Sequence, residues 1–197
     1  MKRAALLSLD QEVKCCLSPG KTKLRGGRSR MGSGGVAILF SRVFLPVSSV
    51  TEEIVESPVK LTLINVYAPT VGTERETLLN TLNSAVNSCS GEGHMFLGGD
   101  FNCTADAALD RNHAEPHGAS RRCLVKLIEQ NDLCDTWRFL HHTQRQYTWV
   151  HTRDYTLSML DRFYCFKHQA NALQSGSIHP VGFSDHSLVQ VPVSSKI

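Results

Sequence analysis

Runs and alternations of apolar residues in this chain predict strands along most of its length. Residues 35–40 form a continuous apolar run, and residues 60–67 alternate and are rich in β-branched side chains before an Ala-Pro pair ends them. Residues 44–58 are expected to form an intervening strand or hairpin. A further buried strand is predicted over residues 94–97, after which the chain breaks at two glycines.

Two helices are predicted from apolar residues that recur every three or four positions. The first is expected over residues 73–88, with Thr73 as its N-cap and Glu76 completing a capping box. The second is expected over residues 120–131. The residues at helical spacing are Leu78, Leu79, Leu82 and Val86 in the first helix, and Leu124, Leu127 and Ile128 in the second.

The remaining apolar stretches are interpreted as strands or turns. They lie at residues 135–139, 147–150, 158–166 and 187–193. Strands therefore outnumber helices and alternate with them, which predicts an α/β or α+β sandwich.

Length and composition indicate one packed domain. The chain has 197 residues, of which 41% are hydrophobic and 20% charged, close to globular averages. Residues 1–33 are Gly-, Ser- and Arg-rich and are expected to be poorly ordered or degenerate, whereas residues 34–197 are expected to form the domain. No apolar run approaches the roughly 20 residues that cross a bilayer, so we expect no membrane association.

Net charge and cysteine content bear on the partner and the cellular compartment of the protein, but they do not identify its substrate. A net charge of +3 permits a polyanionic partner but does not require one. The 7 cysteines are scattered, with no closely spaced pair typical of a zinc site. We therefore expect reduced thiols in an intracellular protein, nuclear or cytoplasmic.

The sequence GGDFN follows the apolar strand at residues 94–97. Alternation along an extended chain would place Asp100 and Asn102 on one side and turn Phe101 into the core. A carboxylate and an amide so placed can hold a hard cation or a water molecule against a phosphate. The alternative is a β-turn in which both side chains only bond local backbone.

Three other positions carry candidate chemistry. Asp185 precedes His186 just before a strand, where a carboxylate can orient an imidazole; the alternative is a surface turn. Asp161 lies in an apolar run, so it needs a cation, metal or hydrogen-bond partner; the alternative is an ion pair with Arg162 or another arginine. Tyr67 ends a strand where its hydroxyl could reach a phosphate, or simply cover the sheet.

Taken in order, the motifs NVYAP, GGDFN, LDRFY and SDH resemble those of the endonuclease/exonuclease/phosphatase superfamily, from about Gly34 to Val193. The stretches LDRNH, at residues 109–113, and RQYTW, at residues 145–149, resemble the apurinic-type endonuclease domains of long interspersed element retrotransposons. The resemblance implies a four-layered α/β sandwich, with two mixed β-sheets packed face to face and helices outside.

The resemblance also implies a role for each candidate residue. Asp100 would orient or deprotonate the attacking water, and Asn102 would hold that water or the phosphate. His186 would stabilise the pentavalent transition state, with Asp185 holding its imidazole or binding metal. Tyr67 would donate to the phosphate and Asp161 would orient groups around the site. The substrate-binding residues implied are Asn65, Asn112 and Ser184.

The cofactor and partner follow from the same resemblance. Mg²⁺ or Mn²⁺ would bind through oxygen ligands, DNA would be the partner, and no obligate protein partner is apparent. The implied function is a phosphodiesterase that nicks DNA. The alternatives are a catalytically inactive relic, an abasic-site or exonuclease III-like repair nuclease, and a phosphatase, the last disfavoured by LDRNH and RQYTW.

Two departures from the family pattern concern the metal site and its surroundings. The expected first strand with its asparagine is missing, and Gln11-Glu12 is a remnant of the following motif, which makes Glu12 the candidate metal ligand. Met159 replaces an arginine, which would remove a charge from the site. The sequence therefore resembles an N-terminally truncated or degenerate retrotransposon endonuclease that lacks part of the N-terminal strands.

Overall fold

The structure, a computed structural model, describes residues 15–17, 37–39, 61–89 and 93–192. The described strands of its main sheet are Leu61–Tyr67 (β3), His94–Asp100 (β4), Leu133–Asp135 (β5) and Asp161–Phe166 (β8). Their order in the sheet is β3-β4-β8-β5. Strand β3 runs parallel to β4, and the other two pairings are antiparallel, so the sheet is mixed.

A second group of strands is antiparallel throughout its described part. One pair is Trp149–His151 (β6) with Thr156–Ser158 (β7), and the other is Ser177–Pro180 (β9) with Ser187–Gln190 (β10). A bridge between Trp149 and His186 joins the two pairs. The short strands Cys15–Leu17 (β1) and Ala37–Leu39 (β2) also pair with each other.

Two long helices cover one face of the main sheet. Helices α1 (Gly72–Asn87) and α2 (Gly118–Gln130) follow β3 and β4, and a short helix α3 (Thr136–Leu140) follows β5. The main core lies between α1, α2 and the sheet, where Leu79, Leu97, Leu124 and Tyr164 are almost fully buried. Among the described residues, no helix is long and apolar enough to cross a membrane.

The opposite face of the main sheet packs towards the second group of strands. Smaller clusters formed by Met159 with Trp137 and Ile178, and by Cys165 with Leu173, fill this side. The expected mixed sheet with helices outside it is thus confirmed, as is the α/β class. Cysteines 89, 103, 123, 134 and 165 are free thiols.

Most predicted elements are present, with two corrections. Thr73 is not the cap of α1, because the helix starts at Gly72 after Val71 and no side chain caps it. Glu76 instead accepts a hydrogen bond from Ser120 in α2. Beyond Asp135, the last residue of β5, the expected strand or turn over residues 135–139 is instead the helix α3, which Asp135 caps by accepting the N–H of Arg138. The strand or hairpin expected over residues 44–58 lies outside the described residues.

A buried ion-pair network, which we call the arginine hub, ties three segments together. The guanidinium of Arg162 in β8 bonds both Asp110 and Asp135. Asp110 also binds Arg138 of α3 at 2.7 Å and accepts the backbone N–H groups of residues 105 and 106 at 3.1 and 2.6 Å. The hub therefore fastens the connection after β4 to β8 and α3.

The charges in the hub stabilise one another because they are out of water together. Arg162 and Asp110 are both fully buried. Burial alone would lower the pKa of Arg162, but the carboxylates of Asp110 and Asp135 outweigh it and raise that pKa. The arginine thus stays charged, and removal of either partner would leave a buried charge uncompensated.

Replacing Arg162 by methionine is expected to lower the free energy of unfolding by about 3 kcal/mol or more, because Asp110 and Asp135 lose their shared cation. Chemical denaturation would measure this loss. The control is Lys167→Met, which removes an exposed ion pair with Asp132 and should change stability much less, because solvent screens exposed charges. Equal effects of the two changes would contradict the importance of the hub.

Candidate functional site

Two glycines allow β4 to deliver Asp100 to the edge of the sheet. A Cβ on Gly98 would lie 2.4 Å from the ring of Phe163, which packs across the strand there. Gly99 has φ +134°, and a Cβ on it would lie 2.0 Å from the carbonyl oxygen of Val66. Neither position accommodates a larger residue without rearrangement, so the close approach of β3 and β8 to Asp100 depends on both glycines.

Asp100 and Asp161 lie directly opposite each other in the antiparallel pairing of β4 with β8. Directly opposed residues place their side chains on the same face of a sheet. His186, at the start of β10, joins them from the second group of strands. Ligand atoms of Asp100, Asp161 and His186 all lie within 4.8 Å of one another, and we call these three residues the candidate catalytic cluster.

Asp161, rather than Asp185, holds the imidazole of His186. Nδ1 of His186 donates to Oδ2 of Asp161 at 2.8 Å. The carboxylate of Asp185 instead accepts the indole N–H of Trp149 at 3.2 Å, so the expected contact between Asp185 and the imidazole is wrong. The alternative of an Asp161–Arg162 ion pair is also wrong, because alternation along β8 points Arg162 to the opposite face, into the arginine hub.

Asn102 stays close to Asp100, but not through an extended backbone. Its φ is +49°, and its backbone N–H donates to Oδ1 of Asp100 at 2.9 Å. Its side-chain Nδ2 donates to the carbonyl oxygen of Ala68 at 2.7 Å. Phe101 is fully buried, as predicted. The local bonding expected for a β-turn is therefore present, and it fixes Asn102 beside the end of β3.

Tyr67 lies next to the cluster, as its position at the end of β3 suggested. It is the register partner of Asp100 in the parallel pair, and 36% of its surface is exposed. Burial first, and then the charge of Asp100, raise the pKa of Tyr67, so its hydroxyl keeps a proton that it can donate. Asn65 lies two residues earlier on the same face and pairs with Gly98.

Electrostatics in the cluster favour a cation beside Asp100. The pKa of Asp100 is raised to about 6, first by burial and then by the charge of Asp161, while the N–H of Asn102 and the charge of His186 oppose the rise. Burial alone would lower the pKa of His186, but its hydrogen bond to Asp161 and the nearby carboxylates raise it. The site therefore contains a carboxylate, Asp100, that is difficult to ionise, and an imidazole, His186, whose charged form is stabilised.

Three predicted site residues are used elsewhere or lie outside the described part. Asn112 donates to the carbonyl oxygen of Tyr155 at 3.0 Å and accepts the N–H of Leu157 at 2.8 Å, so it fixes the β6–β7 connection. The hydroxyl of Ser184 accepts the N–H of His186 at 3.0 Å. Glu12 lies outside the described residues, and its role as a metal ligand stays a prediction.

The presence of methionine at position 159 does not remove a charge from the site. Its side chain is fully buried in an apolar cluster with Trp137 and Ile178. Arg138 comes within 4.0 Å of its sulfur on the way to Asp110. The expected loss of a charge neighbour from the site is therefore wrong, because residue 159 faces this cluster and the arginine hub.

The described donors fit a hard divalent cation. Mg²⁺ is usually held by one or two carboxylates together with substrate phosphate. Asp100 is the carboxylate of the cluster that is not already paired with the imidazole, and burial and the charge of Asp161 raise its pKa, so a cation beside it would stabilise its charged form. This chemistry suits Mg²⁺ or Mn²⁺ rather than a soft metal.

The fold agrees with the family to which the sequence belongs. The Endonuclease/Exonuclease/phosphatase family matches residues 4–186, and the chain is a member of it. A 149 kDa uncharacterized protein of transposon TX1 from Xenopus laevis is 36% identical over 174 residues. That alignment covers 82% of this chain but 13% of the relative, so the chain spans a small part of it. The resemblance to a retrotransposon protein is confirmed.

Solved structures share the fold at lower identity. The 3′-5′ exonuclease NExo of Neisseria meningitidis has a TM-score of 0.64 at 20% identity, covering 92% of this chain and 80% of its own. A 3′ phosphatase form of NExo was solved with a product DNA hairpin, with a TM-score of 0.64 at 22% identity and 92% and 79% coverage. An AP endonuclease from Archaeoglobus fulgidus gives 0.57 at 18% identity, with 68% and 61% coverage.

Replacing Asp100 by asparagine is expected to stabilise the metal-free protein at pH 8 by about 2 kcal/mol, because the folded-state pKa of about 6 lies above the ordinary value near 4. The destabilisation of the wild type by this group is absent below pH 4. It grows between pH 4 and 6, where only the unfolded chain is ionised, and is complete above pH 6.

Thermal unfolding in EDTA at several pH values would measure the difference between the two proteins. The control is Asp132→Asn, which removes an exposed carboxylate and should give parallel curves. A gap between wild type and Asp100→Asn that persists unchanged at pH 4 would show that the raised pKa of Asp100 is not its cause.

Proposed function

We propose that the protein is a divalent-metal-dependent phosphodiesterase that nicks DNA by attack of water on a backbone phosphate. The observation that carries the proposal is the convergence of Asp100, Asp161 and His186 within 4.8 Å, with the imidazole held by a carboxylate. Membership of the Endonuclease/Exonuclease/phosphatase family supports the reaction type. The DNA hairpin bound by NExo and the transposon origin of the TX1 relative support DNA as the substrate.

The roles of the residues follow from their positions. Asp100 is a buried carboxylate at the edge of the sheet and would orient the attacking water and accept its proton. Asn102, fixed to Ala68 through its amide nitrogen, would hold that water with its side-chain oxygen. Both residues come from the end of β4, so a water between them would have a defined direction of attack.

The charge that develops on phosphorus would be met from the other side of the cluster. His186 carries a raised pKa and would present a protonated imidazole to the equatorial oxygens, oriented by Asp161. Tyr67 keeps its hydroxyl proton and would donate to a phosphate oxygen. The interactions of both groups with the phosphate would strengthen as negative charge builds up on it. Such strengthening is the requirement for transition-state stabilisation.

A bound Mg²⁺ or Mn²⁺ would supply Lewis acidity and neutralise phosphate charge. Asp100 would be one ligand, and Glu12 and Asp185 are the further ligands proposed from the sequence. Oδ2 of Asp185 accepts a hydrogen bond from the indole of Trp149, and the other carboxylate oxygen would bind the metal. Asn65, Asn112 and Ser184 are proposed to contribute to substrate binding, the last two through the backbone segments that they fix.

Nicking of supercoiled plasmid in Mg²⁺ is expected for the wild type, and Asp100→Asn should lose at least about hundredfold in rate because its base and ligand are gone. Asp132→Asn is the matched control, with the same chemical change at an exposed position, and should nick as the wild type does. EDTA should abolish activity, and excess Mg²⁺ or Mn²⁺ should restore it.

Further variants and substrates separate the alternatives. Glu12→Ala and Asp185→Asn should each require a higher Mg²⁺ concentration for half-maximal rate if the two residues are ligands. Cleavage confined to duplexes with an abasic site or a modified 3′ end would favour a repair nuclease over a nicking enzyme. A wild type as silent as Asp100→Asn on every substrate, in Mg²⁺ and in Mn²⁺, would refute the proposal and leave an inactive relic.

A further inference from the structure

Thr148 connects the two strands that carry Asp161 and His186. Its hydroxyl oxygen accepts two backbone N–H groups, from Leu160 and from Asp161, both at 2.9 Å. Its carbonyl oxygen accepts the N–H of Ser187 at 2.6 Å, next to His186. Thr148 itself is fully buried. One residue therefore contacts the backbone of Asp161 and the backbone of Ser187, the neighbour of His186.

The hydroxyl of Thr148 supplies an acceptor for two backbone N–H groups at the start of β8. Strand β5 pairs only with the far end of β8, from Tyr164 to Phe166, so the N–H groups of residues 160 and 161 lie beyond that pairing. A buried N–H without an acceptor is costly. A threonine oxygen has two lone pairs and can accept both groups, which fixes the backbone where Asp161 leaves the sheet.

We propose that Thr148 is a positioning residue, whose hydroxyl sets the place of Asp161 and thereby the orientation of His186. This proposal rests on the proposed function, because the group that it positions is part of the candidate catalytic cluster. Thr148 touches no reacting atom and acts through Asp161. It lies in the RQYTW stretch, residues 145–149, which resembles the retrotransposon endonuclease domains.

The test compares Thr148→Val, which removes the hydroxyl while keeping the shape, with Thr148→Ser, which keeps the hydroxyl. Thr148→Val should lower kcat about tenfold to hundredfold with little change in KM, because misplacement of a catalytic group affects the chemical step. Thr148→Ser should retain most of the activity. An unchanged kcat in Thr148→Val would overturn the proposal.

A matched control separates positioning from stability. Thr136 is equally buried, and its hydroxyl donates to the backbone of the same strand at Phe163, 3.0 Å away. Thr136→Val should therefore lower the melting temperature as Thr148→Val does, yet leave kcat unchanged at a temperature where every variant is folded. A matching loss of kcat in both variants would show that Thr148 only stabilises the fold.

A double-mutant cycle tests whether Thr148 acts through Asp161. In an Asp161→Asn background, Thr148→Val should lower kcat much less than it does in the wild type, because the group it positions is already disabled. Full additivity of the two changes would mean that Thr148 acts elsewhere, and would overturn the proposal.

Amide hydrogen exchange keeps this test independent of activity. Without substrate, the amides of Leu160 and Asp161 should exchange faster in Thr148→Val than in the wild type or in Thr148→Ser. If the wild type fails to nick DNA, the proposed function fails, and exchange still decides whether Thr148 fixes this segment. Unchanged protection in Thr148→Val would overturn the proposal on its own.

Discussion

The ion pair between Arg162 and Asp110 is the constraint on which the rest of the site depends. Arg162 is a fully buried cation, so it can stay in the core only while its carboxylate partners hold it. Adjacent residues of a strand point to opposite faces. Fixing Arg162 on the helix side therefore fixes Asp161 on the other side, where His186 approaches. The Arg162–Asp110 ion pair thus determines where the carboxylate of Asp161 points.

The two faces of the main sheet consequently make opposite contributions to stability. On the helix side, β4 and β8 bury apolar residues such as Leu97 and Tyr164, and these supply the free energy that holds the strands in register. On the other side Asp100 is buried with a raised pKa, which lowers stability while it is ionised. The packed face offsets that loss, and this arrangement is common where an active site requires an unfavourable environment.

The sequence predicted what depends on local pattern. The apolar runs before Tyr67 and Asp100 have strand periodicity, and two glycines in succession mark a close approach, so the edge of the sheet could be anticipated. The partner of His186 could not, because the neighbouring Asp185 and the distant Asp161 are equally plausible until the two sheets are placed together. The predicted capping box of α1 was wrong for a similar reason, because Glu76 accepts a hydrogen bond from Ser120 in α2.

The same division explains how one fold can serve several named activities. The neighbours with TM-scores of 0.57 to 0.64 include an exonuclease and an AP endonuclease, at 18% to 20% identity to this chain. In the proposed function the reacting groups lie at the ends of β3, β4 and β8, which packing holds fixed, whereas we expect substrate choice to depend on the connections between the strands. Here the connection after β4 is anchored at Asp110, inside the arginine hub. Residues beyond that anchor can therefore vary without moving Asp100 or Asp161.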